Sequence, residues 1–171
     1  MSHTASSTLH LSQDGNLLLF QGSSKLPFWW TNLPHPLSKL TEVVLRDDGN
    51  FVLRDSSNAP CIFWESFDHP TDTWLPGAKL GIDKVTVKPQ QLISWKNLQD
   101  PAPGLFSLGL DPNGSNQYFL KWNRSQIYWS SGLWNGTTFS FANVPEISRN
   151  SHFNYNFVSN ENGKIFYIFY H

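Results

Sequence analysis

Apolar and polar residues alternate with a period of two around two Asp-Gly dipeptides. Leu9 and Leu11 precede the first, and Leu17 and Leu19 follow it; Val43 and Leu45 precede the second, and Phe51 and Leu53 follow it. This alternation around Asp-Gly is a strong hairpin signal, because both residue types tolerate the positive φ that tight strand connections require. The two stretches are also copies of one another. Leu11-Ser12-Gln13-Asp14-Gly15-Asn16-Leu17-Leu18-Leu19 aligns with Leu45-Arg46-Asp47-Asp48-Gly49-Asn50-Phe51-Val52-Leu53, and Trp30-Thr31-Asn32 aligns with Trp64-Glu65-Ser66, always 34 positions apart. An internal repeat points to architecture ahead of any propensity. The first half is therefore predicted to be built from repeated antiparallel hairpins, with Gly15 and Gly49 at positive φ.

No window further along sustains a period of 3.6 with caps, whereas short β-rich runs punctuated by Gly, Pro, Asn and Asp recur, so the whole chain reads as all-β. Trp-bearing strands are predicted near Phe28 to Thr31 and Ile62 to Ser66. The Pro-rich stretch from Asp68 to Gly77 reads as a loop, because Pro cannot donate to a sheet ladder. Val85 to Val87 and Leu92 to Trp95 are predicted as short strands, and Asp100 to Gly104 as a turn-rich break. Leu105 to Leu110 and Gln117 to Trp122 flank Asn113-Gly114 as a further hairpin, with Gln126 to Ser130 as a third strand. His152 to Val158 and Lys164 to Tyr170 flank Asn162-Gly163 as the last one.

Composition narrows the function classes. Of 171 residues, 39% are hydrophobic and eight are Trp, enough large apolar surface for a packed core and contrary to disorder. A net charge of −1 without a run of Lys or Arg leaves no electrostatic footprint for nucleic acid or an anionic membrane. No stretch is apolar for long enough to span a bilayer, and Met1 to Ser7 carries no signal-peptide pattern. Cys61 is the one cysteine, so no disulfide forms within the chain; it reads as a buried inert thiol, with pairing to another chain or segment as the alternative. Acceptor sequons stand at Asn113-Gly114-Ser115, Asn123-Arg124-Ser125 and Asn135-Gly136-Thr137, and they have meaning only in a secreted protein.

The repeat with its Asp-Gly-Asn core, followed by Phe63-Trp64-Glu65-Ser66-Phe67-Asp68-His69-Pro70-Thr71-Asp72-Thr73-Trp74-Leu75-Pro76-Gly77, resembles the bulb-type lectin domain of plant S-domain (G-type lectin) receptor-like kinases and S-locus glycoproteins. The resemblance continues through Leu92-Ile93-Ser94-Trp95-Lys96, Asp100-Pro101-Ala102-Pro103-Gly104, Gly109-Leu110-Asp111-Pro112 and Trp129-Ser130-Ser131-Gly132-Leu133-Trp134-Asn135-Gly136, which are similar to the start of the S-locus glycoprotein domain. It implies an all-β fold: a bulb-type lectin β-prism, incomplete at its N-terminus, followed by a second antiparallel β domain. On this reading residues 1–81 are the C-terminal portion of the lectin domain, 82–104 a connecting segment and 105–171 the N-terminal portion of the S-locus glycoprotein domain. The chain would then be an ectodomain fragment whose unfinished prism exposes apolar residues near Leu9, Leu11 and Trp29-Trp30, which makes it prone to aggregate.

The resemblance also implies where sugar would bind. Bulb-type lectins hold mannose on each hairpin through Gln-x-Asp-x-Asn-x-Val-x-Tyr, in which amide, carboxylate and hydroxyl groups meet sugar hydroxyls and Val packs on ring carbons. The corresponding positions here are Ser12, Asp14, Asn16, Leu18 and Phe20 in the first repeat, and Arg46, Asp48, Asn50, Val52 and Arg54 in the second. Both copies keep Asp and Asn; both lack Gln and Tyr. A net hydrogen bond contributes about 0.5–1.5 kcal/mol and a millimolar ligand is held by only about 4 kcal/mol, so losing two polar contacts of four leaves little monosaccharide affinity. Asp and Asn are also what a tight turn selects. The favoured reading is a degenerate site in a module that recognises protein, with a working mannose-type lectin as the alternative.

Asp68-His69-Pro70-Thr71-Asp72 gathers two carboxylates and an imidazole, but no nucleophile or third ligand at suitable spacing accompanies them, so loop-building is the preferred role. Trp122, Trp129 and Trp134 read as core first and as a stacking platform second. The sequence has no Gly-rich phosphate loop, Val-Ala-Ile-Lys, His-Arg-Asp or Asp-Phe-Gly, so the chain is predicted not to be an enzyme and to need no cofactor or metal. The resemblance implies an extracellular location, either in the ectodomain of a plasma-membrane receptor serine/threonine kinase or in a secreted glycoprotein. It implies roles in pollen recognition or perception of extracellular signals. The expected partners are an extracellular protein ligand or a paired ectodomain, with mannose-type glycans as the alternative, and neither nucleic acid nor membrane.

Overall fold

Both hairpins predicted from the alternation are present, each extended by a third strand. A computed structural model describes residues 6–36, 41–83, 88–137, 139–140, 153–159 and 163–170. Strand β1 (Ser7–Leu11) pairs antiparallel with β2 (Leu17–Gln21), and β2 with β3 (Trp29–Trp30). Strands β4 (Thr41–Leu45), β5 (Phe51–Asp55) and β6 (Ile62–Glu65) repeat the pattern as a second three-stranded sheet. Both sheets belong to a compact unit over Met1–Ser66, and Phe67–His171 forms another.

The hairpin loops show how the repeat works locally. In the first, the Ser12 N–H donates to the Asn16 carbonyl at 2.8 Å and the Gly15 N–H to the Ser12 carbonyl at 3.1 Å; in the second, Arg46 to Asn50 and Gly49 to Arg46 both measure 2.9 Å. Gly15 and Gly49 each sit at φ 84°, as predicted. Each loop is thus three residues long, with the glycine in the left-handed position. The aspartates, which the sequence reading grouped with glycine, are not at positive φ. Their carboxylates instead accept the backbone N–H two residues on, Asn16 at 3.2 Å and Asn50 at 2.9 Å, so Asp builds the loop through its side chain rather than its backbone.

Alternation then decides what is buried. Leu17 is buried in the first sheet, and Val52 and Leu53 in the second, while Trp29 meets Trp64 edge-on at 5.8 Å. Leu9, Trp29 and Trp30 stand exposed and Leu11 is half-buried. Cys61 is a free thiol and half-buried, less enclosed than the sequence suggested. It lies in the β5–β6 connection, where the chain turns back on itself by local hydrogen bonds rather than by packing.

The second unit holds β7 (Lys79–Asp83), β8 (Lys88–Pro89), β9 (Gln91–Asn97), β10 (Asp100–Leu110), β11 (Tyr118–Trp122), β12 (Gln126–Ser130), β13 (Phe153–Ser159) and β14 (Gly163–Tyr170). They form two four-stranded sheets, β12-β11-β10-β9 and β13-β14-β7-β8. Leu80, Leu92, Leu110, Tyr118 and Phe139 make the core, with Trp74 and Trp134 packed against it. The buried Tyr118 hydroxyl donates to the Leu80 carbonyl at 2.8 Å, and its ring lies 5.2 Å from Trp74 and 5.6 Å from Phe139.

Asp100 to Gly104 is not a break. It is the start of β10, bulged between Asp100 and Pro103 and again between Pro103 and Ser107. The prolines are tolerated because β11 pairs with β10 only from Phe106 onward, so this half of the strand has a ladder on one side alone. Gly104 is required there: a Cβ would lie 2.4 Å from the Trp95 carbonyl oxygen. The predicted strand at Val85 to Val87 and the Asn162 turn residue lie outside the described residues.

Candidate functional site

In an antiparallel ladder, residues directly opposite share a face. His10, Leu18 and Trp30 are opposite one another in the first sheet, and Val44, Val52 and Glu65 in the second. The positions carried over from the lectin pattern therefore fall on one face of each hairpin, with the Asp-Gly loop at its end.

In the first repeat, Ser12, Asp14 and Asn16 come together. The Ser12 hydroxyl donates to the Asp14 carboxylate, which also accepts the Asn16 backbone N–H at 3.2 Å and side-chain amide at 3.1 Å. Three of about four acceptor positions on the carboxylate are so occupied. These bonds, first the Ser12 hydroxyl and then the Asn16 amides, hold the Asp14 carboxyl below the ordinary aspartate range. Asn16 Oδ1 in turn accepts the Thr31 hydroxyl and the Leu33 N–H, both at 3.0 Å, which ties the loop to the segment after β3. Leu18 is half-buried beside an open groove of about 710 Å³ that also takes in Gln13, Leu26, Pro27 and Trp30. Phe20 is half-buried on β2 and is not among the residues lining this groove.

The second repeat keeps the Asp-to-Asn backbone bond and a hydroxyl on the Asn Oδ1, and differs in what surrounds them. Asn50 is buried; its side-chain amide donates to Glu65 at 2.8 Å, and its Oδ1 accepts the Ser66 hydroxyl at 3.2 Å. Arg46 lies 3.5 Å from the Asp48 carboxylate, and Arg54 donates to Glu42 at 2.9 Å. Val52, the position that would meet sugar ring carbons, is only 1% exposed. Charges introduced at 46 and 54 are thus paired along the strand face, and the apolar platform is covered.

Gln13, Leu26, Pro27 and Trp30 were not singled out as site residues by the repeat. Gln13 was aligned one place outside the pattern, and Leu26 and Pro27 belong to the β2–β3 connection, which has no counterpart signal in a period-two reading. The Asp68 to Asp72 cluster is a knitted loop: Asp68 pairs with Lys79 at 3.2 Å, and Asp72 accepts the Thr71 and Thr73 hydroxyls, each at 2.9 Å. Burial pushes the Asp72 carboxyl up, but the Thr73, Thr71 and Trp95 hydrogen bonds outweigh it and leave the group below its ordinary value. Among the described residues, no group of three His, Cys, Asp or Glu is placed to hold a metal ion, and no helix is long and apolar enough to cross a membrane. The three sequon asparagines, Asn113, Asn123 and Asn135, are all exposed.

Paired Asp-Gly-Asn hairpins in repeated three-stranded sheets define a lectin-type β-prism architecture. The D-mannose binding lectin family matches residues 2–96, and the chain belongs to that family. Over 156 residues it is 47% identical to the G-type lectin S-receptor-like serine/threonine-protein kinase At2g19130 of Arabidopsis thaliana, covering 90% of this chain and 19% of that protein. Over 169 residues it is 33% identical to the G-type lectin S-receptor-like serine/threonine-protein kinase B120 of the same plant, covering 96% and 20%. The chain thus spans about a fifth of the length of these relatives. Residues 2–96 are its lectin domain, a recognition module, and the chain does not itself contain the relatives' kinase.

Proposed function

We propose that this chain acts as a recognition module in the ectodomain of a plant receptor-like kinase or S-locus glycoprotein, and that it contacts protein rather than free mannose. Its second unit would carry the beginning of the S-locus glycoprotein portion. One observation carries the reading: in both repeats the retained Asp and Asn atoms are engaged by the protein's own loops, through Ser12, Thr31 and Leu33 in one and through Glu65 and Ser66 in the other. A sugar hydroxyl would have to displace bonds that hold the hairpin together, which cancels most of what it gains. The first-repeat groove, bordered by exposed Leu26 and Trp30, offers apolar area of the kind that anchors protein contacts. Such a module fits pollen recognition or perception of an extracellular protein signal, through a ligand or a paired ectodomain.

A second reading has its own support. Gln13 brings an amide to the groove that already holds Trp30 and Asp14, a combination able to grip a saccharide at the first repeat alone. Calorimetry with methyl α-mannoside separates the two. The protein-recognition reading expects no heat above dilution, whereas saturable heat lost in Gln13→Ala and Trp30→Ala would establish the saccharide reading.

A further inference from the structure

The β11–β12 hairpin carries a sequon in a geometry that the other two sequons lack. Its turn runs Trp122-Asn123-Arg124-Ser125, with Asn123 at φ 49° and Arg124 at φ 59°, closed by the Ser125 N–H to the Trp122 carbonyl at 3.3 Å. Two successive left-handed residues define a type I′ turn, a conformation that costs a residue such as arginine on the order of 1–2 kcal/mol. Asn123 occupies the first central position, next to Trp122. Trp122 lies directly across from Phe106 on one side and Gln126 on the other, so the three share one face of the sheet. Phe106, Trp122, Gln126, Ile127 and Tyr128 wall a shallow groove of about 360 Å³, in which Phe106 and Tyr128 meet edge-on at 6.2 Å. Trp122 is 46% exposed and Tyr128 71%, so none of the described residues closes over this aromatic face.

All three sequons use side chains within their own turns, and in the Asn123 sequon it is the Ser125 hydroxyl that donates to the Asn123 carbonyl, at 3.3 Å. Ser115 donates its hydroxyl to Asp111, and Asn135 Oδ1 accepts the Thr137 N–H at 2.9 Å. Among the described residues, the Asn123 carboxamide has no hydrogen-bond partner. We propose that Asn123 is N-glycosylated and that the first N-acetylglucosamine of its glycan lies against the Trp122 indole, roofing the groove between Phe106 and Tyr128. The occupant is fixed by chemistry and by reach. The sugar is tethered one residue from the ring, a pyranose presents a face of C–H groups that packs on the electron-rich face of an indole, and its hydroxyls keep the outer side wet. Glycosylation joins the asparagine Nδ2 to the sugar's anomeric carbon as the anomeric C–O bond of an activated oligosaccharide donor breaks; dolichyl diphosphate leaves, and the proton lost from Nδ2 passes to solvent. The inference rests on the extracellular reading above, since only the secretory route supplies that donor.

The test uses the full chain secreted from plant cells, with glycopeptide mass spectrometry at all three sequons and NMR of the N-acetyl methyl groups. Asn123 is expected to be occupied, with the methyl of its first sugar moved upfield by the indole ring current. Enzymatic removal of the glycan is expected to lower the melting temperature by about 2–4 °C in the native sequence and to have no effect in Trp122→Thr. Trp122→Phe, which keeps an aromatic ring, would retain part of the difference, and the NMR shift decides the question even where a variant folds poorly. Occupancy of Asn113 and Asn135 with Asn123 bare overturns the inference and leaves the extracellular reading standing. An occupied Asn123 with an unshifted methyl overturns the stacking. All three sequons bare in protein purified from its source tissue overturns the inference together with the extracellular reading.

Discussion

The two hairpin repeats share a backbone and differ in what their equivalent faces have become. In the first, Leu18 and Trp30 border an open groove, and Asp14 and Asn16 are held by hydroxyl and amide neighbours. In the second, the equivalents of Ser12, Asp14, Leu18 and Phe20 are Arg46, Asp48, Val52 and Arg54; Arg46 pairs with Asp48 and Arg54 with Glu42, while Val52 is shut away. Both loops close with the same hydrogen bonds and the same glycine angle, so loop geometry alone does not preserve a binding site. A fold can keep the turn-making residues of a motif for the sake of the turn, and the side chains between them decide whether anything can dock.

That contrast can be broken by substitution, and the largest effects are expected in the closed repeat. Leu53 is fully buried, so Leu53→Ala should cost about 2–5 kcal/mol in denaturant melts; the equivalent Leu19 is only half-buried, and Leu19→Ala should cost clearly less. Equal losses would show that the two sheets are packed alike. Gly15→Ala and Gly49→Ala place a side chain at φ 84°, and each should cost on the order of 1–2 kcal/mol. A loss confined to one of them would mean that the loops are less alike than their hydrogen bonds indicate.

The hairpins, their third strands and the left-handed glycines were legible in the sequence because alternation and Asp-Gly are local signals. What stayed hidden was non-local. Nothing in the spacing shows that Asn50 will reach Glu65 or that Arg54 will pair with Glu42, because those partners are set by strand register. Likewise, Pro101 and Pro103 argue for a turn until the shorter reach of β11 reveals that β10 needs no donors on that side. Gln13 and the β2–β3 connection escaped notice as site residues for the same reason: the groove is made by chain segments brought together only after folding.

Smaller effects sharpen the comparison. Breaking the pair at the rim of the closed repeat with Glu42→Gln should cost about 0.2–1 kcal/mol, and that difference should shrink as salt is raised. A salt-independent loss would assign Glu42 a packing role instead. In the open repeat, the Asp14 carboxyl should titrate by NMR with a midpoint below 3.8. A carboxyl with its folded pKa depressed contributes stability that is present above the unfolded value and lost as pH falls through the folded one, so the first hairpin should loosen only in acid below that range. Ser12→Ala, which removes the foremost cause, should move the Asp14 midpoint back toward 3.8.

The most direct test is an NMR titration of the intact chain with methyl α-mannoside, following the amide signals of Gly15 and Gly49. If both sets of retained Asp and Asn side chains are engaged by their own hairpins, neither signal will show a saturable shift up to concentrations well above the millimolar range. Saturable movement of the Gly49 amide, in the repeat closed by Arg46, Arg54 and Glu65, would contradict the account.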